Sequence, residues 1–82
     1  MMNKKEISDD NQLLLKSIAK RLKEMRKGKG IGYVEFAEQV GISKNVYYQI
    51  EQGKSNFQIK TLMVILQYHE VSFIDFIQSL EK

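Results

Sequence analysis

The chain contains no cysteine, so neither a disulfide framework nor a thiolate metal site can form. That composition suits a reducing cytoplasm. Proline is absent too, and the helix stops fall to glycine. No apolar run approaches the roughly 20 residues a membrane span needs. The opening MMNKKEISDDNQ is polar and lacks the apolar centre of a signal peptide, so a cytoplasmic location is expected. There is one histidine, His69, and no pair of carboxylates at catalytic spacing. The glycines of GKGIG (28–32) do not read as a phosphate-cradling loop, because no strand precedes them and no Lys-Ser/Thr follows. Catalysis is not expected, and neither is a metal or a cofactor.

What is present is a chain of 82 residues, enough for one domain. A core of that size gives modest stability alone, which makes dimerisation a reasonable prior. The net charge is +3, but it is unevenly spread. Lys16, Lys20, Arg21, Lys23, Arg26, Lys27 and Lys29 face only one acid, Glu24, in the same segment. That stretch carries +6 and the remainder −3. A concentrated basic segment is compatible with nucleic acid; a solvated lysine-rich face is the alternative.

Residues 1–8 read as a flexible arm, with Ser8, Asp9 and Asp10 suited to a helix N-terminus. From there NQLLLKSIAKRLKEMRK reads as helix, with Leu14, Leu15, Ile18, Leu22 and Met25 at spacings of three and four. Gly28 and Gly30 stop it. YVEFAEQV gives a second helix with Val34, Ala37 and Val40 three apart, ended by Gly41. Ser43 is a suitable cap for a third, KNVYYQIEQ, which stops at Gly53 and has Val46, Tyr47 and Ile50 as its apolar face. QIKTLMVILQYHE predicts a fourth, with Ile59, Leu62, Ile65 and Leu66 inward, and SFIDFIQSLEK a fifth, capped by Ser72 and with Phe73, Phe76 and Ile77 filling the core. No strand pattern or repeat is visible, so the expected fold is all-α.

VGIS, between the second and third helices, is the decisive local feature. A glycine closes one helix, a serine caps the next, and one apolar residue separates them. Such a turn packs both helices on a common core and leaves the second free to project a polar face. An α-helix fits the major groove of B-DNA, where Asn, Gln and Lys read base edges.

With these pieces in place, the stretch from Ile18 to Ile77 resembles the helix-turn-helix domains of phage repressors and Cro, the XRE-like family of bacterial regulators. IAKRLKEMRKGKGI, EFAEQVGIS, VYYQIEQGKSN and TLMVILQYHEVSFIDFI carry the resemblance. Among small members, the leucine-bearing first helix and apolar last helix look most like restriction–modification controller proteins. The resemblance implies a five-helix, lambda-repressor-like domain over 9–82. It implies that Lys44, Asn45, Tyr48 and Gln49 reach base edges, Tyr48 through a thymine methyl or a phosphate. Tyr33, Ser43, Gln52, Lys54, Ser55 and Asn56 match phosphate-contacting positions, as do backbone amides near the start of the second helix. Arg26 and Glu51 match a pair that forms a buried or half-buried ion pair tying the first helix to the third; a phosphate contact is the alternative for Arg26. Ala37 falls at the crossing of helices two and three, and Gly41 at a left-handed turn position.

The sequence departs from the family pattern in places. Tyr33 stands where a Gln often binds a phosphate and braces the recognition helix, and Gly32 where a Ser or Thr cap is common. Phe57 replaces a proline, His69 a leucine and Glu70 a glycine. His69 therefore reads as a part-buried packing residue. Val64, Ile74 and Leu80 are candidate dimer-interface residues, since Val64 and Ile74 are apolar where relatives carry polar side chains; the alternative for Ile74 is an enlarged core. The function so implied is a homodimeric, sequence-specific regulator of transcription, with double-stranded DNA as partner and no small-molecule ligand. The alternative is a protein-interaction module, such as an antitoxin covering a toxin.

Overall fold

A computed structural model describes residues 9–54 and 58–80. Within them lie five α-helices and no strand: α1 Asp9–Gly28, α2 Tyr33–Val40, α3 Lys44–Glu51, α4 Ile59–Tyr68 and α5 Phe73–Ser79. The arm expected over 1–8 and the loop residues Ser55, Asn56 and Phe57 lie outside the described residues. None of the described helices is long and apolar enough to cross a membrane.

Each helix contributes a few apolar side chains to one core. Ile18 and Leu22 come from α1, Phe36 and Ala37 from α2, Tyr47 and Ile50 from α3, Leu62, Ile65 and Leu66 from α4, and Phe76 from α5. Phe36 is at its centre, with its ring 5.0 Å from Tyr47, 4.8 Å from Tyr68 and 5.3 Å from His69. Aromatic pairs at such separations add to what burial alone contributes. Met25, Ile31, Val40, Ile42, Ile77 and Leu80 pack around it. Ser72 caps α5 as the sequence suggests, accepting from the Asp75 amide at 3.0 Å.

Five apolar residues expected to face inward are instead substantially exposed: Leu14, Val34, Val46, Ile59 and Phe73. Each lies in the N-terminal part of its helix. For Leu14 and Val46 the reason is visible in how α1 crosses α3. The two meet through Arg26 on Glu51 and through Lys16 on Gly53, all at the C-terminal end of α3. The first turn of α3, with Val46, lies beyond that contact, as does Leu14 upstream of Lys16.

Two departures from the family pattern have measurable consequences. Glu70 ends α4 with φ 59°, and its amide donates to Gln67 O at 3.0 Å while the Val71 amide donates to Leu66 O at 3.0 Å. This is the paired C-terminal bonding that glycine normally completes, and a side chain there strains the backbone. Glu70→Gly is therefore expected to stabilise the fold by about 0.5–1 kcal/mol, raising the thermal midpoint by a few degrees. An unchanged or lower midpoint in a circular-dichroism melt would mean that the Glu70 side chain offsets its strain.

His69 is buried, stacked on Phe36 at 17° between planes, with Nε2 inside and without a hydrogen-bond partner among the described residues. Burial, reinforced by the positive charge of Lys29, holds its pKa below the usual histidine range. The folded state thus binds this proton less readily than the unfolded chain. Stability from neutral His69 is complete above the ordinary histidine pKa of roughly 6.5 and is lost as pH falls towards the folded value. Urea midpoints should drop between pH 7.5 and 5.5, and His69→Phe should flatten that part of the profile. An equal slope in the variant would place the proton uptake elsewhere.

Candidate nucleic-acid interface

The turn between α2 and α3 is built as its residues require. Gly41 adopts φ 76°, ψ 29°, a left-handed conformation open to glycine at little cost. Its amide donates to Glu38 O at 3.2 Å, and the Ile42 amide to Ala37 O at 2.9 Å, closing α2. Ile42 turns back towards the core. Ser43 caps α3, its hydroxyl accepting from the Val46 amide at 3.4 Å. Ala37 is buried where α2 meets α3.

The turn fixes the rotation of α3. Tyr47, Ile50 and Glu51 are buried, whereas Lys44, Asn45, Tyr48, Gln49 and Gln52 are exposed. At 100° per residue these five span about 140° of the helix circumference. All four residues expected to reach base edges thus share one outward face, with Ser43 at its start and the exposed Lys54 just beyond its end. Ser55 and Asn56, also expected at phosphates, lie outside the described residues.

A polar cluster anchors the far end of α3. Arg26 donates through Nε to Glu51 Oε2 at 2.7 Å and through Nη2 to Glu51 Oε1 at 3.0 Å, a bidentate pair. Its Nη1 donates to Ile31 O at 2.6 Å, and the Tyr47 hydroxyl donates to Glu51 Oε2. Arg26 and Glu51 are only 7% and 8% exposed, so Arg26 is an internal tie and not a phosphate contact. The hydrogen bond to Glu51 pushes the Arg26 pKa up, while burial pushes up that of Tyr47. The ion pair was legible from the family pattern. The Ile31 contact was not, because nothing in sequence spacing marks it; the Tyr47 contact follows the four-residue helical spacing to Glu51 but was read only as core packing.

At the other end of the outward face, the rings of Tyr33 and Tyr48 meet at 5.3 Å between centroids, 48° apart in plane. Both rings remain partly exposed, at 37% and 47%. Tyr48 thus leans on the first residue of α2. Gly32 precedes α2 and has no side chain to occupy its first amides. On α1, Lys16, Lys20, Lys23 and Lys27 are exposed at spacings of four, three and four, which places them along one flank. That flank begins where Lys16 abuts Gly53, next to Lys54.

Comparison with known proteins agrees with this geometry. Residues 19–78 match the family described as "Helix-turn-helix domain". The chain belongs to the helix-turn-helix family. Its five-helix arrangement is of the XRE type and aligns with crystal structures of two point mutants of the Restriction-Modification Controller Protein C.Esp1396I. One aligns at TM-score 0.73 with 28% identity, over 83% of this chain and 91% of that one. The other aligns at TM-score 0.72 with 28% identity, over 82% and 85%. The helix-turn-helix chain is also 35% identical over 60 residues to Antitoxin PezA of Streptococcus pneumoniae serotype 4. That match takes in 73% of this chain and 38% of PezA, so the chain spans well under half the length of this curated relative.

Proposed function

We propose that the chain is a non-catalytic, sequence-specific regulator of transcription that binds a pseudo-palindromic site on double-stranded DNA as a homodimer. The observation that carries the reading is the outward face of α3. Its four candidate base-reading side chains are exposed together on a helix whose rotation is fixed by the Gly41 turn and the Arg26–Glu51 pair. Phosphates would be met by Ser43, Gln52, Lys54 and the first amides of α2, and the lysine flank of α1 adds long-range attraction.

A dimer surface is supported by apolar side chains left uncovered on α4 and α5. An open groove of about 440 Å³ is lined by Met63, Leu66, Gln67, Val71, Ser72 and Phe73. Ile74 beside it is 66% exposed, so it does not enlarge the core. Val64 is half-buried and Leu80 packs against the core, so Ile74, Met63 and Phe73 are the stronger candidates for contact. A twofold pair presents two copies of α3 about 34 Å apart, one turn of DNA.

Fluorescence anisotropy with duplex from upstream of the gene, against a scrambled duplex at two salt concentrations, tests this. Gln49→Ala is expected to cost about 1–3 kcal/mol on the specific duplex and little on the scrambled one. Lys54→Ala should weaken both alike and reduce the salt dependence by about one phosphate contact. Equal effects of the two variants on both duplexes would remove this division of roles. The similarity to Antitoxin PezA supports a second reading, in which the groove covers a partner protein. A stable complex with the product of an adjacent gene, formed at the expense of the homodimer, would favour it.

A further inference from the structure

We propose that Tyr33 sets base preference without touching a base: its ring holds Tyr48 on the outward face of α3, where Tyr48 meets a thymine methyl group. The proposal rests on the DNA-binding reading above and adds to it a positioning residue from a different helix. An exposed tyrosine on a helix normally spreads over several side-chain rotamers, and ordering it on binding costs entropy. Tyr48 stands between Lys44 and Asn45 on the outward face, and one side of its ring is already occupied by Tyr33.

The contact joins two rigid elements. Tyr33 is the first residue of α2, and α2 is held to α3 by the Gly41 turn and by Phe36 against Tyr47. A ring pair 5.3 Å apart lies within the range of aromatic attraction. It leaves Tyr48 about half exposed, so the ring is oriented without being buried in the core. A fixed, half-exposed aromatic edge among amide and amine side chains is suited to the one apolar group the major groove offers, the methyl of thymine. This role needs the ring of Tyr33 and not its hydroxyl. It differs on that point from a direct phosphate contact through the hydroxyl.

Replacing thymine by deoxyuridine, one symmetric pair of positions at a time, removes only the methyl. Once a duplex preferred over scrambled sequence is in hand, the wild-type protein should lose about fourfold in affinity per half-site at one such pair. Tyr48→Ala should abolish that penalty. Tyr33→Leu, which keeps apolar bulk but not the ring, should abolish or halve it, and Tyr33→Phe should keep it. In the free protein, the Tyr48 ring resonances should move towards solvent-exposed values in Tyr33→Leu and stay in place in Tyr33→Phe, with melts confirming that both variants fold.

A full deoxyuridine penalty in Tyr33→Leu, or its loss in Tyr33→Phe, overturns the proposal. So does a wild-type protein that prefers its duplex but is indifferent to deoxyuridine at every position; the DNA-binding reading then stands without it. A wild-type protein with no preference for any duplex removes that reading and the proposal together.

Discussion

Glu51→Ala is expected to destabilise the fold by about 3–5 kcal/mol. The carboxylate accepts two hydrogen bonds from Arg26 and one from Tyr47, within a site only 8% exposed. Removing it leaves a buried guanidinium with Ile31 O as its remaining partner, and a buried phenol that has lost its acceptor. The large cost comes from those stranded groups more than from the attraction itself, because desolvation cancels much of an ion pair's Coulomb energy. A domain of this length has a total stability of roughly 4–12 kcal/mol. The variant should therefore be partly unfolded at 37 °C, with a much lower urea midpoint. Replacing all members together, as in Arg26→Met, Tyr47→Phe and Glu51→Leu, should recover most of the loss, since only the part-buried Ile31 carbonyl then loses its side-chain donor. A single-variant cost below 1 kcal/mol would show that water reaches the cluster and that the pair behaves as a surface salt bridge. If the triple variant folds but no longer prefers specific DNA, the ion pair serves to aim α3, and stability and recognition separate cleanly.

The order and type of the helices were readable because glycine, serine and apolar spacing act locally. Gly41 and Ser43 bound the turn that the sequence VGIS announces, and all five helices fall within two residues or so of their expected limits where they are described. Inward and outward positions were read well in the middle of each helix and poorly in its first turns. Leu14, Val34, Val46, Ile59 and Phe73 share that position. Periodicity records which side of a helix is apolar, but not how far along it a neighbouring helix extends. The same limit explains the interface. That Lys44, Asn45, Tyr48 and Gln49 share an outward face follows from helix geometry once the buried side is known. The Tyr33–Tyr48 contact depends on the angle between two helices and left no mark in spacing. Likewise, the groove beside Met63 and Phe73 lies between α4 and α5, while the sequence pointed to Val64, Ile74 and Leu80, of which Ile74 is exposed, Val64 is half-buried and Leu80 packs against the core.

Ile74→Asp is expected to turn the proposed dimer into a monomer and to lower affinity for a two-half-site duplex by about 10²–10⁴-fold. Ile74 is the most exposed apolar side chain on α5 and adjoins the groove floored by Leu66 and edged by Met63 and Phe73. A twofold axis brings the same patch of both copies together, so a single substitution places two carboxylates in one apolar contact. Each carboxylate must be desolvated without a partner, a penalty large enough to dissociate a small interface. Affinity falls because the second half-site is no longer bound at the effective concentration set by the first. The monomer itself should fold normally, because Ile74 contributes little to the core and its replacement remains in water. Sedimentation should then give half the mass of the wild type, the melt should fall only by the stabilisation that association lends, and binding to a single half-site should differ little between the two proteins. Retention of both dimer and affinity would move the interface off α5, and the exposed Leu13 and Leu14 on the first turns of α1 would be the next surface to charge.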